Sequence, residues 1–324
     1  MPPPRSKLAS LAALSLAAAC GARSGLEDPP DASAAAVSFP VGEYTDCARG
    51  VFSPSGGVMG VDHGATLSLT QSGASLRARY VDQNGARSEY TFAATTAATA
   101  VLVPDGVASA GEPHPCVLGV GSVARSPTAL VVDVGSLAVD RNAVLIAAEG
   151  TATDVTPGPC GTRSDRQGVW IACRRRDRTS PAVTITSSTA AFPTGTFACQ
   201  TQAATYVLAG AIHQYAGNGA MGSLTIAQRG GALSLSYTGD RAATLAADFA
   251  LTSNATARLN GPAGLRAVCD VPINTPAATS VAPLNASAGA VLRAGSTLFV
   301  SVVGAMEGAC AGAEKFVTLR CVPR

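Results

Sequence analysis

Apolar and polar residues alternate with a period of two in many short segments of this chain. In residues 66–70 every second residue is apolar, residues 71–73 supply a turn, and residues 76–80 alternate again. This alternation is typical of half-buried strands, and two such runs around a tight turn predict a hairpin. The sequence shows no sustained i, i+3, i+4, i+7 stripe of an amphipathic helix. The pattern therefore predicts β-structure.

Further candidate strands follow along both halves of the chain. They lie at residues 90–94, 99–103, 129–134, 143–147, 169–173 and 297–303, and residues 223–237 repeat the hairpin pattern of residues 66–80. Alanine is abundant and favours helix, but here it is mixed with Thr, Ser, Gly and Val. About eight short strands per half, with Gly- and Pro-rich connections, predict an all-β fold, either an antiparallel barrel or a sandwich.

The apolar pattern occurs twice. Leu67, Leu69, Gln71, Gly73, Leu76 and Tyr80 match Leu224, Ile226, Gln228, Gly230, Leu233 and Tyr237 at a constant offset of 157 residues. We therefore expect two homologous domains, residues 38–176 and 191–324. They are joined by a linker at 177–190 and preceded by a signal peptide at 1–19 and a tether at 20–37.

Eight of the nine cysteines follow the same duplication. Cys47, Cys116, Cys160 and Cys173 are spaced by 69, 44 and 13 residues, and Cys199, Cys269, Cys310 and Cys321 by 70, 41 and 11. We expect disulfides within each domain, but four cysteines allow three pairings and spacing does not choose among them. Neighbouring first and last strands would pair Cys47 with Cys173 and Cys199 with Cys321. Cys116 would then pair with Cys160, and Cys269 with Cys310. A strict up-and-down strand count places Cys47 and Cys173 at opposite ends and argues against this choice.

The N-terminus has the features of an export signal. Arg5 and Lys7 precede the uncharged residues 8–19, a stretch too short to cross a membrane. The small residues 17–19 and the cysteine after them resemble the lipobox of bacterial lipoproteins, although Ala17 stands where that family most often has Leu. In that family the cysteine is acylated, so the resemblance implies lipidation of Cys20.

Cysteine parity favours lipidation of Cys20, because acylation leaves eight cysteines that can all pair. The alternative is an ordinary signal peptide cut near Ala19, with Cys20 free or paired. Acyl chains hold a soluble domain at a membrane surface. Gly21 rather than Asp follows the cysteine, and in the lipoprotein family this implies the outer membrane.

A second resemblance concerns the start of each domain. The Gly-x-aromatic opening, a strand, a Gln-x-Gly turn and a strand ending in Tyr are similar to the first part of lipocalin-like and avidin-like barrels. The match covers about forty residues of each copy, and Tyr44 and Phe197 replace the usual Trp. It implies an eight-stranded barrel that could hold a small apolar ligand.

Charge argues against nucleic acid as a partner. Without residues 1–19, which contain Arg5 and Lys7, 21 basic residues face 21 acidic ones. A phosphate-binding protein normally shows a basic excess. The one dense cluster is four arginines within residues 174–178. It could contact anionic lipid or polysaccharide, but we interpret it as a solvated linker.

Candidate catalytic and metal-binding residues are few. His63 beside Asp62 is the most plausible base for a hydrolase, but the second copy has no matching histidine, and His114 and His213 are likewise unmatched. No cysteine pair has zinc-like spacing and no cofactor motif occurs, so we expect neither metal nor cofactor.

Trp170, the only tryptophan, has Thr318 as its counterpart and is expected to point away from the shared core. It is a candidate binding surface for a sugar or a protein, unless the linker or the other domain covers it. The sequence thus favours a non-enzymatic binding module of the cell envelope, with an envelope protein or a glycan as partner. The alternatives are a carrier of an apolar ligand and a hydrolase that uses His63.

Overall fold

The computed structural model is all-β. It describes residues 38–53, 56–61, 65–111, 114–117, 123–155, 163–181, 183, 186–207, 212–215, 221–239, 243–261, 263–269, 280–308 and 311–324. The secondary structure of these residues includes 22 β-strands, and sixteen of them form two closed antiparallel barrels of eight strands each. The structure confirms the all-β prediction and decides for barrels over sandwiches.

Eight strands close the first barrel, here called barrel 1. Around its wall they are β1 (Gly42–Ser53), β3 (Thr66–Ser72), β4 (Ser75–Val81), β5 (Arg87–Ala94), β6 (Thr99–Leu102), β10 (Thr128–Asp140), β11 (Ala143–Asp154) and β12 (Ser164–Arg175). Strand β12 pairs with β1 and completes the circle. Outside this circle, β2 (Gly56–Val61) pairs with β1, β7 (Ala108–Ala110) pairs with β10, and β8 (His114–Val117) forms a separate hairpin with β9 (Val123–Ser126).

The second barrel, barrel 2, repeats this order. Its wall consists of β13 (Gly195–Val207), β15 (Met221–Arg229), β16 (Ala232–Gly239), β17 (Thr244–Leu251), β18 (Thr256–Leu259), β20 (Ser280–Ala294), β21 (Thr297–Met306) and β22 (Ala313–Pro323). Pairing of β22 with β13 closes it. The additional strands are β14 (Ile212–Tyr215), which pairs with β13, and β19 (Gly264–Cys269), which pairs with β17 and β20.

Closure explains the disulfides. Cys47 bonds to Cys173, and Cys199 bonds to Cys321. An even number of antiparallel strands places the start of the first strand beside the end of the last. The objection drawn from the up-and-down count was therefore wrong. Cys160 and Cys310 lie outside the described residues, so the pairing of Cys116 with Cys160 and of Cys269 with Cys310 stays a prediction.

The extra residue before Cys47 in the first copy is accommodated by a β-bulge. Asp46 has a φ of 48°, and the register between β1 and β12 shifts between Thr45 and Ala48. A bulge inserts one residue into one strand while the ladder continues on either side. The two copies can therefore share one disulfide position although their spacing differs by a residue.

Inward-facing side chains fill both barrels, and the two copies fill them differently. Ala78 faces Tyr90 across β4 and β5, whereas Leu235 faces Ala247 at the matching positions of barrel 2. All four side chains are buried, and both cores consist mainly of Leu, Val, Phe and Tyr. Each pair keeps one large side chain against one alanine, with the large side chain on the second strand in barrel 1 and on the first strand in barrel 2.

Candidate functional site: the seam between the barrels

The two barrels lie in one compact unit, Val37–Arg324, and pack through the outer faces of their C-terminal strands. Small side chains dominate this contact, which we call the seam. Its buried apolar members are Ala48, Phe52, Ala138, Ala143, Leu145, Ala147, Trp170, Ala172, Ala288, Ala290, Leu292, Ala294, Phe299, Val303 and Phe316. An alanine that points outward from a barrel allows the two sheets to approach closely. The strands at the seam therefore carry apolar side chains on both faces, one towards the barrel core and one towards the other barrel.

Trp170 lies in this seam, with none of its surface exposed. It points away from the core of barrel 1, as expected, and barrel 2 covers it. Near it, Phe52 and Phe299 from opposite barrels meet edge to face, with ring centroids 6.0 Å apart. The interpretation of Trp170 as a binding surface for an outside partner was therefore wrong, because the second barrel already occupies that face.

Buried carboxylates of barrel 1 form two of the ion pairs that join the barrels at the seam. Asp140 at the end of β10 accepts a hydrogen bond of 2.6 Å from Nη2 of Arg258 on β18, and its other oxygen accepts one of 2.9 Å from the backbone N–H of Gly289. Glu149 on β11 accepts hydrogen bonds from Nε and Nη2 of Arg320 on β22. Both carboxylates are buried, so these pairs are shielded from solvent in a way that surface pairs are not.

A third connection between the barrels is made by Arg174, whose surface is only 2 % exposed. Its guanidinium donates to Glu314 and to the hydroxyl of Ser287 in barrel 2, and to Asn142 in barrel 1. The interpretation of the arginine cluster as a solvated linker is wrong at this position. Arg178 is half exposed and pairs with Asp46, and its Nη1 also lies 3.8 Å from a carboxylate oxygen of Glu314 in barrel 2.

A groove of about 270 Å³ opens at the edge of the seam. Both barrels line it, with Leu102, Asp133, Val134 and Gly135 from barrel 1 and Asn254, Ala255, Arg293 and Gly295 from barrel 2. This is smaller than the pocket of a typical drug-sized ligand. The groove exists only while the two barrels are docked.

One hydrogen bond across the seam and one within barrel 2 hold the walls of the groove. The hydroxyl of Ser136 donates to the carbonyl of Arg293 over 3.1 Å, and the N–H of Arg293 donates to the carbonyl of Ala255 over 2.8 Å. These bonds place strand β10, strand β20 and the turn after β17 side by side. Their geometry does not depend on side-chain charge.

The charged groups of the groove already form some hydrogen bonds within the protein. Asp133 is held by a two-pronged contact with the guanidinium of Arg166, and these hydrogen bonds raise the pKa of Arg166 above its ordinary value. Nε of Arg293 donates to the carbonyl of Gly295 over 2.7 Å. Among the described residues the terminal nitrogens of Arg293 have no protein partner. They remain available to a ligand.

A second polar region lies at one end of barrel 1. Ser109, Thr128, Asp154 and Gln167 are buried there, with Asp154 accepting a hydrogen bond from the N–H of Arg163. Gly111 crosses this end so closely that a side chain there would meet the hydroxyl of Thr128 at 2.4 Å. We interpret these buried polar residues as a structural cap on which the chain around Gly111 packs.

Several predicted residues fall outside the described part of the chain. These are the candidate base His63 with its neighbour Asp62, the lipidation site Cys20, and the signal peptide and tether before residue 38. The backbones of His114 and His213 lie in β8 and β14, which are separate from each other in the strand order. Within the described residues, no three His, Cys, Asp or Glu side chains gather as metal ligands.

Within the same residues, the chain forms no helix of the length and apolarity needed to span a bilayer.

The seam and its groove were missed by reasoning from sequence. One signal was present, since β11 and β21 are apolar on both faces, which is typical of strands covered on both sides. The alanines that form the seam were considered only as a possible sign of helix.

Comparison with known proteins gives little guidance. No protein-family model matches the chain, and no curated protein matches it. Similar solved structures include a mutant of the vaccine antigen transferrin binding protein B from Haemophilus parasuis Hp5, with a TM-score of 0.27 and 8 % identity over 88 % of this chain and 77 % of that one. Another is a protein of unknown function of the DUF3598 family from Nostoc punctiforme PCC 73102, with a TM-score of 0.21 and 11 % identity over 88 % of this chain and 96 % of that one. TM-scores this low support no inference about this chain.

Proposed function

We propose that this protein is a non-enzymatic binding module of the cell envelope, anchored through lipid on Cys20 to the outer membrane. Its partner is an envelope protein or a glycan. The observation that carries the proposal is the groove at the seam, because it brings the terminal nitrogens of Arg293 in barrel 2 and the carboxylate of Asp133 in barrel 1 to one concave site. Binding sites are typically concave and contain a few convergent polar groups.

The scaffold suits a protein that works outside the cytoplasm. Two disulfides close the barrels, and disulfides persist in oxidising compartments. The buried ion pairs and the apolar seam keep the barrels in one arrangement. A partner that contacts both barrels would then meet a preformed surface, which lowers the entropy lost on binding.

The alternative of an apolar ligand inside a barrel receives no support from the cores. Inward positions of barrel 1 carry buried Leu67, Leu76, Tyr80, Tyr90 and Phe92, which pack against one another. Barrel 2 is filled in the same manner. The hydrolase alternative rests on His63, which lies outside the described residues, and it stays a prediction.

Capture from native envelope tests the proposal. The full lipidated chain, cross-linked in intact cells, should recover one dominant protein or glycan, and Arg293→Gln should reduce that recovery. Arg87→Gln provides a matched control, because Arg87 is an exposed arginine that does not line the groove. Recovery of nothing above the level of an unrelated lipoprotein would refute a binding function.

Anchoring is tested separately. Intact mass of the mature protein should show an acylated Cys20, and Cys20→Ala should release the chain from membranes. A mature protein that starts at another residue, without lipid, would exclude the anchor while leaving the binding proposal open.

A further inference from the structure

The polar residues of the groove are not required by the fold. Asn254 corresponds to Ala97 in the first copy at the offset of 157 residues. Gly150 lies opposite Val132, and Gly304 lies opposite Ala286, so the later strands of the copies match at an offset of 154. By that offset Asp133 corresponds to Ser287, and Arg293 to Val139. Two barrels of the same fold therefore form without repeating any of these three side chains.

The remaining lining is apolar or lacks a side chain. Leu102 and Val134 are half buried, and Gly295 approaches Val134 so that a Cβ on it would lie 3.7 Å from Val134 Cγ2. Gly295 has a φ of 60°, which favours glycine at this turn. The groove thus offers an apolar floor beside three polar groups.

These three groups differ in what they can bind. Arg293 is always charged and donates in a fork that matches a carboxylate. The amide of Asn254 both donates and accepts, and each Asp133 oxygen keeps lone-pair capacity beyond its bond to Arg166. A ligand that satisfies all three carries a carboxylate together with hydroxyl donors. A simple carboxylate without hydroxyls would still pair with Arg293, but it would meet the negative charge of Asp133 without donating a hydrogen bond to it.

We propose that this groove binds a sugar acid, such as a uronate unit of an acidic glycan. The carboxylate pairs with Arg293, ring hydroxyls bond to Asn254 and Asp133, and the apolar face of the ring lies on Leu102 and Val134. A volume of about 270 Å³ suits one sugar unit rather than a long segment. The inference rests on the proposed function and names the ligand class of its site.

Titration of the detergent-solubilised full chain tests the assignment, with isothermal calorimetry and ligand-observed NMR as readouts. Glucuronate should bind at least tenfold more tightly than glucose, which lacks the carboxylate, and than propionate, which lacks the hydroxyls. Arg293→Gln should weaken glucuronate binding at least tenfold, and Arg293→Lys should weaken it less. Asn254→Ala should weaken glucuronate but leave propionate unchanged. Arg87→Gln should change nothing, and thermal melting of each variant reports whether it folds.

Three results would overturn the proposal. They are no binding of glucuronate, equal binding of propionate or of an acidic dipeptide, and an Arg293→Gln variant that folds and binds as well as the parent. The capture experiment separates the two levels of inference. A partner captured through the groove by a chain that ignores glucuronate would leave the binding function in place and remove the sugar acid. A chain that neither captures a partner nor binds glucuronate would refute both the binding function and the sugar-acid proposal.

Discussion

Removal of the Asp140 carboxylate tests whether buried ion pairs hold the barrels together. Asp140→Ala deletes the partner of Arg258 and the acceptor of the Gly289 N–H in one step. The side chain of Asp140 is 3 % exposed and that of Arg258 is 16 % exposed. Nε of Arg258 is already buried with no hydrogen-bond partner among the described residues, so the variant leaves a largely buried cation without its carboxylate.

The expected loss of unfolding free energy is about 3–5 kcal/mol, which is the usual effect of removing one member of a buried pair. The N–H of Gly289 also loses its acceptor, which adds to the loss of stability. We therefore expect a loss of at least about 3 kcal/mol. Glu89→Ala is the matched control, since its pair with Arg77 is on the surface, with 38 % and 66 % exposed side chains. Such a pair contributes about 0–1 kcal/mol.

Urea unfolding measures both variants, and Trp170 provides a local probe. It is the only tryptophan and lies in the seam, so its fluorescence reports opening of the seam, while circular dichroism reports the strands. In Asp140→Ala the fluorescence transition should occur at a lower urea concentration than the circular dichroism transition. The double variant Asp140→Ala/Arg258→Met should recover part of the loss. A loss no larger than that of Glu89→Ala, with coincident transitions, would refute the role of this pair.

Three further predictions concern the barrels themselves. Burial raises the pKa of Tyr44 to about 12, so the folded state keeps a proton that the unfolded state releases near pH 10, and stability should fall as pH rises from 10 to 12. Tyr44→Phe should flatten that fall in pH-dependent denaturation. Tyr90→Phe should be neutral or stabilising by about 1 kcal/mol in urea titrations, because the Tyr90 hydroxyl is buried with no partner among the described residues. A clear loss would show that the hydroxyl is satisfied. Paired replacement of Cys47 and Cys173 by Ala should lower stability by about 2–4 kcal/mol, and an unchanged melting midpoint would contradict this.

Strand positions could be predicted from the sequence because local alternation reports them directly. The segments at 66–70 and 76–80 became β3 and β4, and the segment at 297–303 lies within β21. Boundaries were less accurate: the pattern indicated residues 129–134, but β10 extends to Asp140. The last residues of that strand have buried side chains on both faces and therefore lose the alternation.

The role of Arg174 could not be predicted, because its partners Glu314 and Ser287 are more than 100 residues away in sequence. An arginine in a cluster of arginines is ordinarily solvated. Only docking of a second barrel places a carboxylate and a hydroxyl against it. The same applies to the groove, whose polar side chains come from both copies of the fold.

The sequence by itself determined the duplication and the strand pattern, because alternation and cysteine spacing are local or strictly repeated features. The tertiary structure decided which cysteines meet, since barrel closure with an even strand number brings the two ends of each domain together. It also decided that alanine-rich strand faces bury Trp170 and Arg174 at a seam. Packing of outward faces depends on the shape of two folded barrels, and no periodicity within either copy encodes how they dock.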